Sequence, residues 1–378
     1  MTARRVLIFL GSLLILAGSA AENIRLFLPE KIYAVPGVEM NVYFNNIVTV
    51  INPANYVFDV DCPKGRNDLK RWRFTPAPED AGTYKWSIRI YNMEGEVARG
   101  ETQLIVLPAD AGKGKNLSLL MIGASQTQNG YYPDRVVELM SRPGNPAFRT
   151  VGTRGARQGK HEGYGGWRWG CFFTRKGGKM MDGQDPRRPV GYRSPFLFPG
   201  KNGALEFDLQ RYFDKYNGGN IPDVVSFQLG INDFFLADDS SIARMTEESL
   251  KNMEKLIGEF RKLKKVPRIM IFQHIPGAGQ DGFGRNYRCG RTSWQYRKNL
   301  DHYNRALLKK GKEMKLTVVP VYINIDTEKN YPTVEEPVNI GNSRTVIRQD
   351  NGVHPAPAGY YQMGDTLYCW LKALLAEK

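Results

Sequence analysis

The stretch Leu119-Leu120-Met121-Ile122-Gly123-Ala124-Ser125-Gln126-Thr127 decides how this chain of 378 residues is read. Four consecutive apolar residues run into Gly-Ala-Ser. A strand apolar on both faces belongs to a parallel sheet covered by helices on both sides. In such sheets, groups that meet ligands sit just past the carboxyl ends of the strands. Ser125 falls there, at the start of a following helix, where its hydroxyl and the neighbouring backbone N–H groups are open. A serine after a strand is more often a helix cap. Its meaning depends on what else the chain brings to that edge.

Further strand-length apolar runs occur at Phe148 to Val151, Val224 to Leu229, Arg268 to Phe272 and Leu316 to Val321. Longer amphipathic segments separate them. From Ser240 to Lys264 the apolar residues Met245, Leu250, Met253, Leu256, Ile257 and Phe260 repeat at helical spacing. Tyr360 to Leu375 reads as the last helix. The alternation implies repeated βα units around a parallel sheet. The stretch from Gly170 to Asn202, rich in Gly, Arg and Pro, reads as a long insertion loop.

Two other strand ends carry residue types suited to acyl transfer. Phe227-Gln228-Leu229-Gly230-Ile231-Asn232-Asp233 ends with Asn232, whose amide can donate to a developing oxyanion. Near the C-terminus, Asp350-Asn351-Gly352-Val353-His354-Pro355 holds one of only four histidines, just before the last helix. A near-neutral imidazole is the usual base for activating a serine.

Taken together, Gly123-Ala124-Ser125, Gly230-Ile231-Asn232-Asp233 and Gly352-Val353-His354-Pro355 resemble blocks I, III and V of the SGNH (GDSL-like) hydrolases. The resemblance covers about Asn116 to the C-terminus. It implies a flavodoxin-like three-layer α/β/α domain over residues 116–378 and ester hydrolysis through an acyl-serine, with no cofactor and no metal. It also implies Ser125 as nucleophile and His354 as base, with Asn232 and a block II glycine as oxyanion donors. The segment His161-Glu162-Gly163-Tyr164-Gly165-Gly166-Trp167 resembles block II, with the glycine aligned at Gly166 and Gly163 or Gly152 as alternatives. The E-G-x-x-G-W signature, followed by Ser194-Pro195-Phe196, is similar to SGNH esterases that deacetylate plant or algal polysaccharides. Two positions depart from the family pattern. Ala124 stands where the family has Asp. Asn351 stands three residues before the histidine, where the family places its acid. Either Asp350, one residue further back, completes a triad, or a Ser–His dyad operates with Asn351 or a backbone carbonyl orienting the ring. Asp350 is the slightly favoured choice.

Tyr164, Trp167, Arg168, Trp169 and Arg175 combine sugar-stacking faces with carboxylate-binding forks. Trp167 and Arg168 are therefore candidate substrate contacts, although tryptophans under a long loop also serve as packing. His274 comes after the Arg268 to Phe272 strand and is either a substrate contact or structural.

The segment from Ile24 to Leu107 reads as all-β, an immunoglobulin-like sandwich over residues 22–108. Glu79-Asp80-Ala81-Gly82-Thr83-Tyr84 resembles a tyrosine corner, in which the tyrosine hydroxyl bonds back to the chain. A polar linker, Ala109 to Lys115, separates this sandwich from the α/β segment that begins at Asn116.

Residues 1–21 read as a signal peptide: Arg4 and Arg5, an apolar run from Val6 to Leu16, then Ala17-Gly18-Ser19-Ala20-Ala21. The run is short for a bilayer span, so a secreted or periplasmic protein without stable membrane insertion is expected. The formal net charge of +15 favours polyanions. After export, nucleic acid is not expected as a partner, and an acylated polysaccharide, which could be acidic, is. The basic run Arg261 to Lys265 reads as a solvated helix face. Four cysteines, Cys62, Cys171, Cys289 and Cys369, permit up to two disulfides, with Cys171–Cys289 the preferred staple. The leading function is thus a carbohydrate esterase. The alternatives are a lipase or aryl esterase, and an O-acetyltransferase-like or glycan-binding protein.

Overall fold

The structure is a computed structural model that describes residues 24–155, 158–177 and 193–377. Residues 1–21, read as a signal peptide, and residues 178–192 of the expected insertion loop lie outside the described residues.

Five parallel strands form the central sheet: β1 (Asn116–Gly123), β2 (Ala147–Val151), β3 (Val224–Gln228), β4 (Arg268–Phe272) and β5 (Thr317–Val319). Their spatial order is β2-β1-β3-β4-β5, the flavodoxin-like order, with every pairing parallel. The side chains of one strand point alternately to two cores. Leu119 and Met121 of β1, with Met270 and Phe272 of β4, face one core. Leu120 and Ile122, with Ile269 and Ile271, face the other.

The first core is closed by helices α1 (Tyr131–Met140) and α5 (Pro357–Ala376), through Tyr132, Val136, Leu139, Tyr360, Met363, Leu367 and Leu371. The second is closed by α2 (Leu209–Asn217), α3 (Ile242–Arg261) and α4 (Ser293–Glu313). Asp208 caps α2, accepting from the Arg211 N–H at 2.9 Å, and Thr292 caps α4, accepting from the Gln295 N–H at 3.1 Å. The three-layer α/β/α architecture expected from the sequence is present. The order reverses between β1 and β3, and a ligand crevice opens at such a reversal, beyond the carboxyl ends of the strands.

Residues 25–106 are mostly strands. A four-stranded sheet joins Lys31–Ala34, Gly95–Val106, Gly82–Asn92 and Val57–Asp61. A three-stranded sheet joins Met40–Tyr43, Arg71–Phe74 and Arg66–Asn67. Trp72 and Trp86 meet edge to face between them, with ring centroids 6.1 Å apart. The Tyr84 hydroxyl donates to the Asp80 carbonyl at 2.9 Å, the bond a tyrosine corner makes.

This region is not held at arm's length. Ile32, Val42 and Phe44 share one continuous core with Tyr322 and Tyr360. Polar contacts lock the seam. Asn41 donates to Asn324 Oδ1 through its backbone N–H and its amide, at 2.9 and 3.0 Å. The Asn46 amide donates to the carbonyls of Tyr322 and Ile325 at 2.8 and 2.7 Å.

Two expectations are corrected. The Cys171–Cys289 staple is not formed, and all four cysteines are free. Cys171 is half-buried and accepts from the Arg168 N–H at 3.3 Å, while Cys289 is exposed. The stretch from Gly170 to Asn202 is not loop throughout. Its described ends hold a short helix, Cys171–Thr174, and a strand, Leu197–Pro199, paired with Leu205–Phe207. Phe172 and Phe196 anchor these ends in the second core because burying large rings outweighs the cost of ordering their backbone. Among the described residues no helix is long and apolar enough to cross a membrane.

Candidate active site

Ser125 leaves β1 as the first residue of a one-turn helix, Ser125–Gln128. The preceding Ala124 is buried, its N–H bonded to the Gln228 carbonyl of β3 at 3.1 Å. A small apolar residue therefore suffices where an acid was expected. His354 lies in the loop before α5, 229 residues further along the chain, and its Nε2 is 2.8 Å from Ser125 Oγ. Both side chains are half-buried and keep an opening to solvent. Burial holds the His354 imidazole below its ordinary pKa, so the ring is neutral at neutral pH.

Asn232 stands at the end of β3. Gly230 makes the turn with φ +129°, and a Cβ there would meet the Tyr303 hydroxyl at 2.3 Å and His274 Nε2 at 2.8 Å. Only glycine fits this approach. The Asn232 amide donates one hydrogen to the Trp167 carbonyl at 2.9 Å, and an NH2 group has a second to offer.

The turn from Gly163 to Trp167 completes the wall. The short strand Glu162–Gly163 pairs with the end of β1, and the Tyr164 N–H donates to the Gly123 carbonyl at 2.9 Å. Gly165 spends its N–H on Gln128 Oε1. Gly166, at φ +76° and exposed, has an N–H with no hydrogen-bond partner among the described residues. Of the three glycines in the turn, Gly163 and Gly165 have their N–H groups engaged, and Gly166 is the one with a donor to offer.

Beneath the turn lies Glu162, fully buried. Its carboxylate accepts from the Tyr164 and Tyr212 hydroxyls, both at 2.7 Å, and from the N–H and hydroxyl of Thr153 at 2.6 and 3.0 Å. Burial raises its pKa, while these four donors pull the other way.

Three expected site residues stand elsewhere than their candidate roles require. Asp350 is not behind His354. Its side chain is exposed and lies 3.8 Å from Arg285, and its N–H is tied to the Pro332 carbonyl. The strand Asn342–Gln349, running straight into this loop, turns it outward. No carboxylate meets His354 Nδ1 among the described residues. Asn351 does not touch the ring either: its Oδ1 accepts from the backbone N–H groups of Val353 and His354 at 3.0 and 2.8 Å.

Trp167 offers no stacking face. It is 3% exposed, stacked on Tyr164 at 4.1 Å and packed edge-on against Phe172. Trp169 is buried as well, donating to the Tyr303 hydroxyl at 3.2 Å. His274 is 1% exposed, with Nε2 against the Leu229 carbonyl at 3.0 Å, and burial lowers its pKa to about 4. It is a neutral support under Gly230 and not a surface for substrate. His161 is likewise buried, its pKa lowered to about 3, and its Nδ1 accepts from the Gly163 N–H at 3.1 Å. Arg168 is exposed beside the turn. Burial raises the nearby Asp233 carboxyl to about 7, against the pull of the Arg168 charge.

One residue of the site carried no sequence signal. Gln126 is fully buried, donates to the Val353 carbonyl at 3.2 Å and accepts from the Gln228 amide at 2.6 Å. A glutamine after a serine has no pattern of its own. Only the fold reveals that it joins the ends of β1 and β3 to the loop before the last helix.

The family described as GDSL-like Lipase/Acylhydrolase matches residues 119–367. The chain belongs to this family. It is accordingly a carboxylic ester hydrolase. No curated protein matches it. Among solved structures it is similar to a Clostridium thermocellum family 3 carbohydrate esterase, with 14% identity, 70% of this chain and 100% of that one covered, and a TM-score of 0.42. It is similar to a carbohydrate acetylesterase family member from Sinorhizobium meliloti, with 12% identity, 69% and 100% covered, and a TM-score of 0.40. It is also similar to the acetyl xylan esterase AlAXEase, with 13% identity, 67% and 98% covered, and a TM-score of 0.37. Likeness at these levels says nothing of substrate.

Proposed function

We propose that this hydrolase is a secreted serine esterase that removes acetyl groups from a polysaccharide through an acyl-serine intermediate. The observation that carries the reading is the 2.8 Å contact between His354 Nε2 and Ser125 Oγ at the mouth of the crevice between β1 and β3.

Neutral His354 takes the hydroxyl proton as Ser125 Oγ bonds to the ester carbonyl carbon. The carbonyl oxygen becomes an oxyanion, met by the N–H groups of Ser125 and Gly166 and by the free hydrogen of the Asn232 amide. Collapse breaks the bond to the sugar oxygen, and His354 returns the proton to that oxygen. A water then gives a proton to His354 and attacks the acyl carbon; collapse breaks the bond between that carbon and Ser125 Oγ, His354 returns the proton to Oγ, and acetic acid leaves as acetate. His354 works here as half of a dyad. Among the described residues no carboxylate stands beside the imidazolium, so the oxyanion donors and the bound geometry supply more of the rate.

The polymer substrate is supported by the half-open site and by Arg168 exposed beside the turn, where a guanidinium can meet an acidic sugar. Secretion is supported by the basic, apolar and small-residue succession over residues 4–21.

The test is acetate release from acetylated xylan and acetylated pectin, run beside p-nitrophenyl esters of increasing chain length. Release from a polymer together with a steep fall beyond acetyl is the expected result. Preference for long acyl chains overturns the carbohydrate reading, and Ser125→Ala with parental activity overturns the nucleophile.

A further inference from the structure

The peptide that bears His354 is held by side-chain amides. The Gly352 N–H donates to Asn286 Oδ1 at 2.5 Å. The Val353 and His354 N–H groups both donate to Asn351 Oδ1. The Val353 carbonyl accepts from Gln126 Nε2, and Gln126 is itself fixed by Gln228. The one remaining group, the Gly352 carbonyl, accepts from the Ala278 N–H at 3.1 Å. Every backbone donor and acceptor from the Gly352 N–H to the His354 N–H is thus engaged. No bond in the set involves a charge.

This matters because, among the described residues, the ring lacks the carboxylate that would otherwise aim it. Asp350, the nearest acid in sequence, faces Arg285. We infer that Gln126, Asn286 and Asn351 are positioning residues that aim His354 Nε2 at Ser125 by fixing the backbone on which the ring stands, in place of a carboxylate on Nδ1. The inference rests on the Ser125–His354 reading above.

The geometry gives each amide a distinct part. Asn351 closes a local turn and sets the direction in which the Cα–Cβ bond of His354 leaves the chain. Asn286, from the short helix Gly282–Tyr287, holds the loop from outside. Gln126 is next to the nucleophile in the chain, so one side chain couples the backbone of the nucleophile to that of the base. A shift of either partner is passed to the other. Fixing the backbone orders the ring but adds no negative charge beside it. The amides therefore serve alignment, which enters kcat, and leave substrate affinity untouched.

Gln126→Leu removes both glutamine bonds at nearly constant size. Asn286→Leu removes one acceptor, and Asn286→Asp keeps it. Kinetics on p-nitrophenyl acetate, with thermal melting to select folded variants, test the idea. For both leucine variants kcat is expected to fall about 10- to 100-fold with KM within about twofold, as a misaimed base requires. Asn286→Asp is expected to stay within about threefold of the parent, because its carboxylate oxygen still accepts from the Gly352 N–H. Should Gln126→Leu fail to fold, the Asn286 pair decides, because Asn286 lies at the exposed rim.

Folded leucine variants with parental kcat, alongside a dead His354→Ala, overturn the inference and leave the dyad standing. Asn286→Asp as impaired as Asn286→Leu also overturns it. Parental activity in His354→Ala overturns both the inference and the reading beneath it.

Discussion

Two walls flank Ser125, and they are built on opposite principles. The wall formed by the turn from Gly163 to Trp167 stands on a buried carboxylate, Glu162, which gathers four donors from Thr153, Tyr164 and Tyr212. The wall that carries His354 has no carboxylate on its ring among the described residues, and neutral amides hold its backbone. An acid has gone where it fixes the shape of the oxyanion side. It is missing where a catalytic triad would place it. A buried acid surrounded by donors is costly to disturb, because removing it leaves several polar groups without an acceptor. A set of amides can lose one member and keep the rest. The two walls should therefore fail differently when broken.

The largest expected effect is at the junction of the walls. The Asn232 amide touches Trp167 on the Glu162 side, and in the proposed mechanism its second hydrogen meets the oxyanion. Asn232→Ala should lower kcat by about 10² to 10³-fold, the cost of one oxyanion donor. Single-turnover rates on p-nitrophenyl acetate measure it, and a loss below about tenfold would remove Asn232 from the oxyanion site.

Next comes the wall built on Glu162. Glu162→Ala deprives two tyrosine hydroxyls and both donors of Thr153 of their acceptor and should cost roughly 3 kcal/mol of stability or more. Glu162→Gln keeps an acceptor oxygen and should cost clearly less. Chemical denaturation of the pair separates the two. Equal losses would mean that volume, and not hydrogen bonding, holds the turn.

The neutral wall predicts a pH profile. The base works as neutral imidazole, so activity rises with pH through the pKa of His354. Burial lowers that pKa and no carboxylate raises it. The acid limb of kcat/KM should therefore have its midpoint below the usual value of about 6.5. A carboxylate on Nδ1 would favour the imidazolium and move the midpoint up. A limb above 6.5 would restore the triad.

The difference between the walls also explains what the sequence disclosed. The strands of the sheet are legible because both faces of each are buried, leaving the apolar run from Leu119 to Ile122 and a run from Val224 to Phe227 that only Ser226 interrupts. Ser125, Asn232 and His354 were legible because each residue type carries its own chemistry at a strand end or before the last helix. What failed were the residues whose meaning depends on burial. Trp167 and His274 look the same in a sequence whether they line a cleft or fill a core, and both fill the core. The charge of Asp350 points to a triad, but the strand before it turns the carboxylate outward. Gln126 gives no signal because an amide has no pattern until its partners are in place.

Asp350→Asn is the smallest expected effect and the sharpest comparison. In a triad, exchanging the acid for its amide costs about 10⁴-fold in kcat through loss of tautomer control and of charge beside the imidazolium. Here the Asp350 carboxylate faces Arg285, and its side chain is 52% exposed. An exposed pair of this kind contributes about 1 kcal/mol or less to stability. The substitution should leave kcat within about twofold and the acid limb unmoved, since no charge beside His354 has changed. Steady-state rates across the pH range decide the matter. A large loss with an altered limb would bring the Asp350 carboxylate to Nδ1 during turnover and make the amide-held wall a resting arrangement. Parental behaviour would leave the base of this hydrolase standing on neutral groups alone.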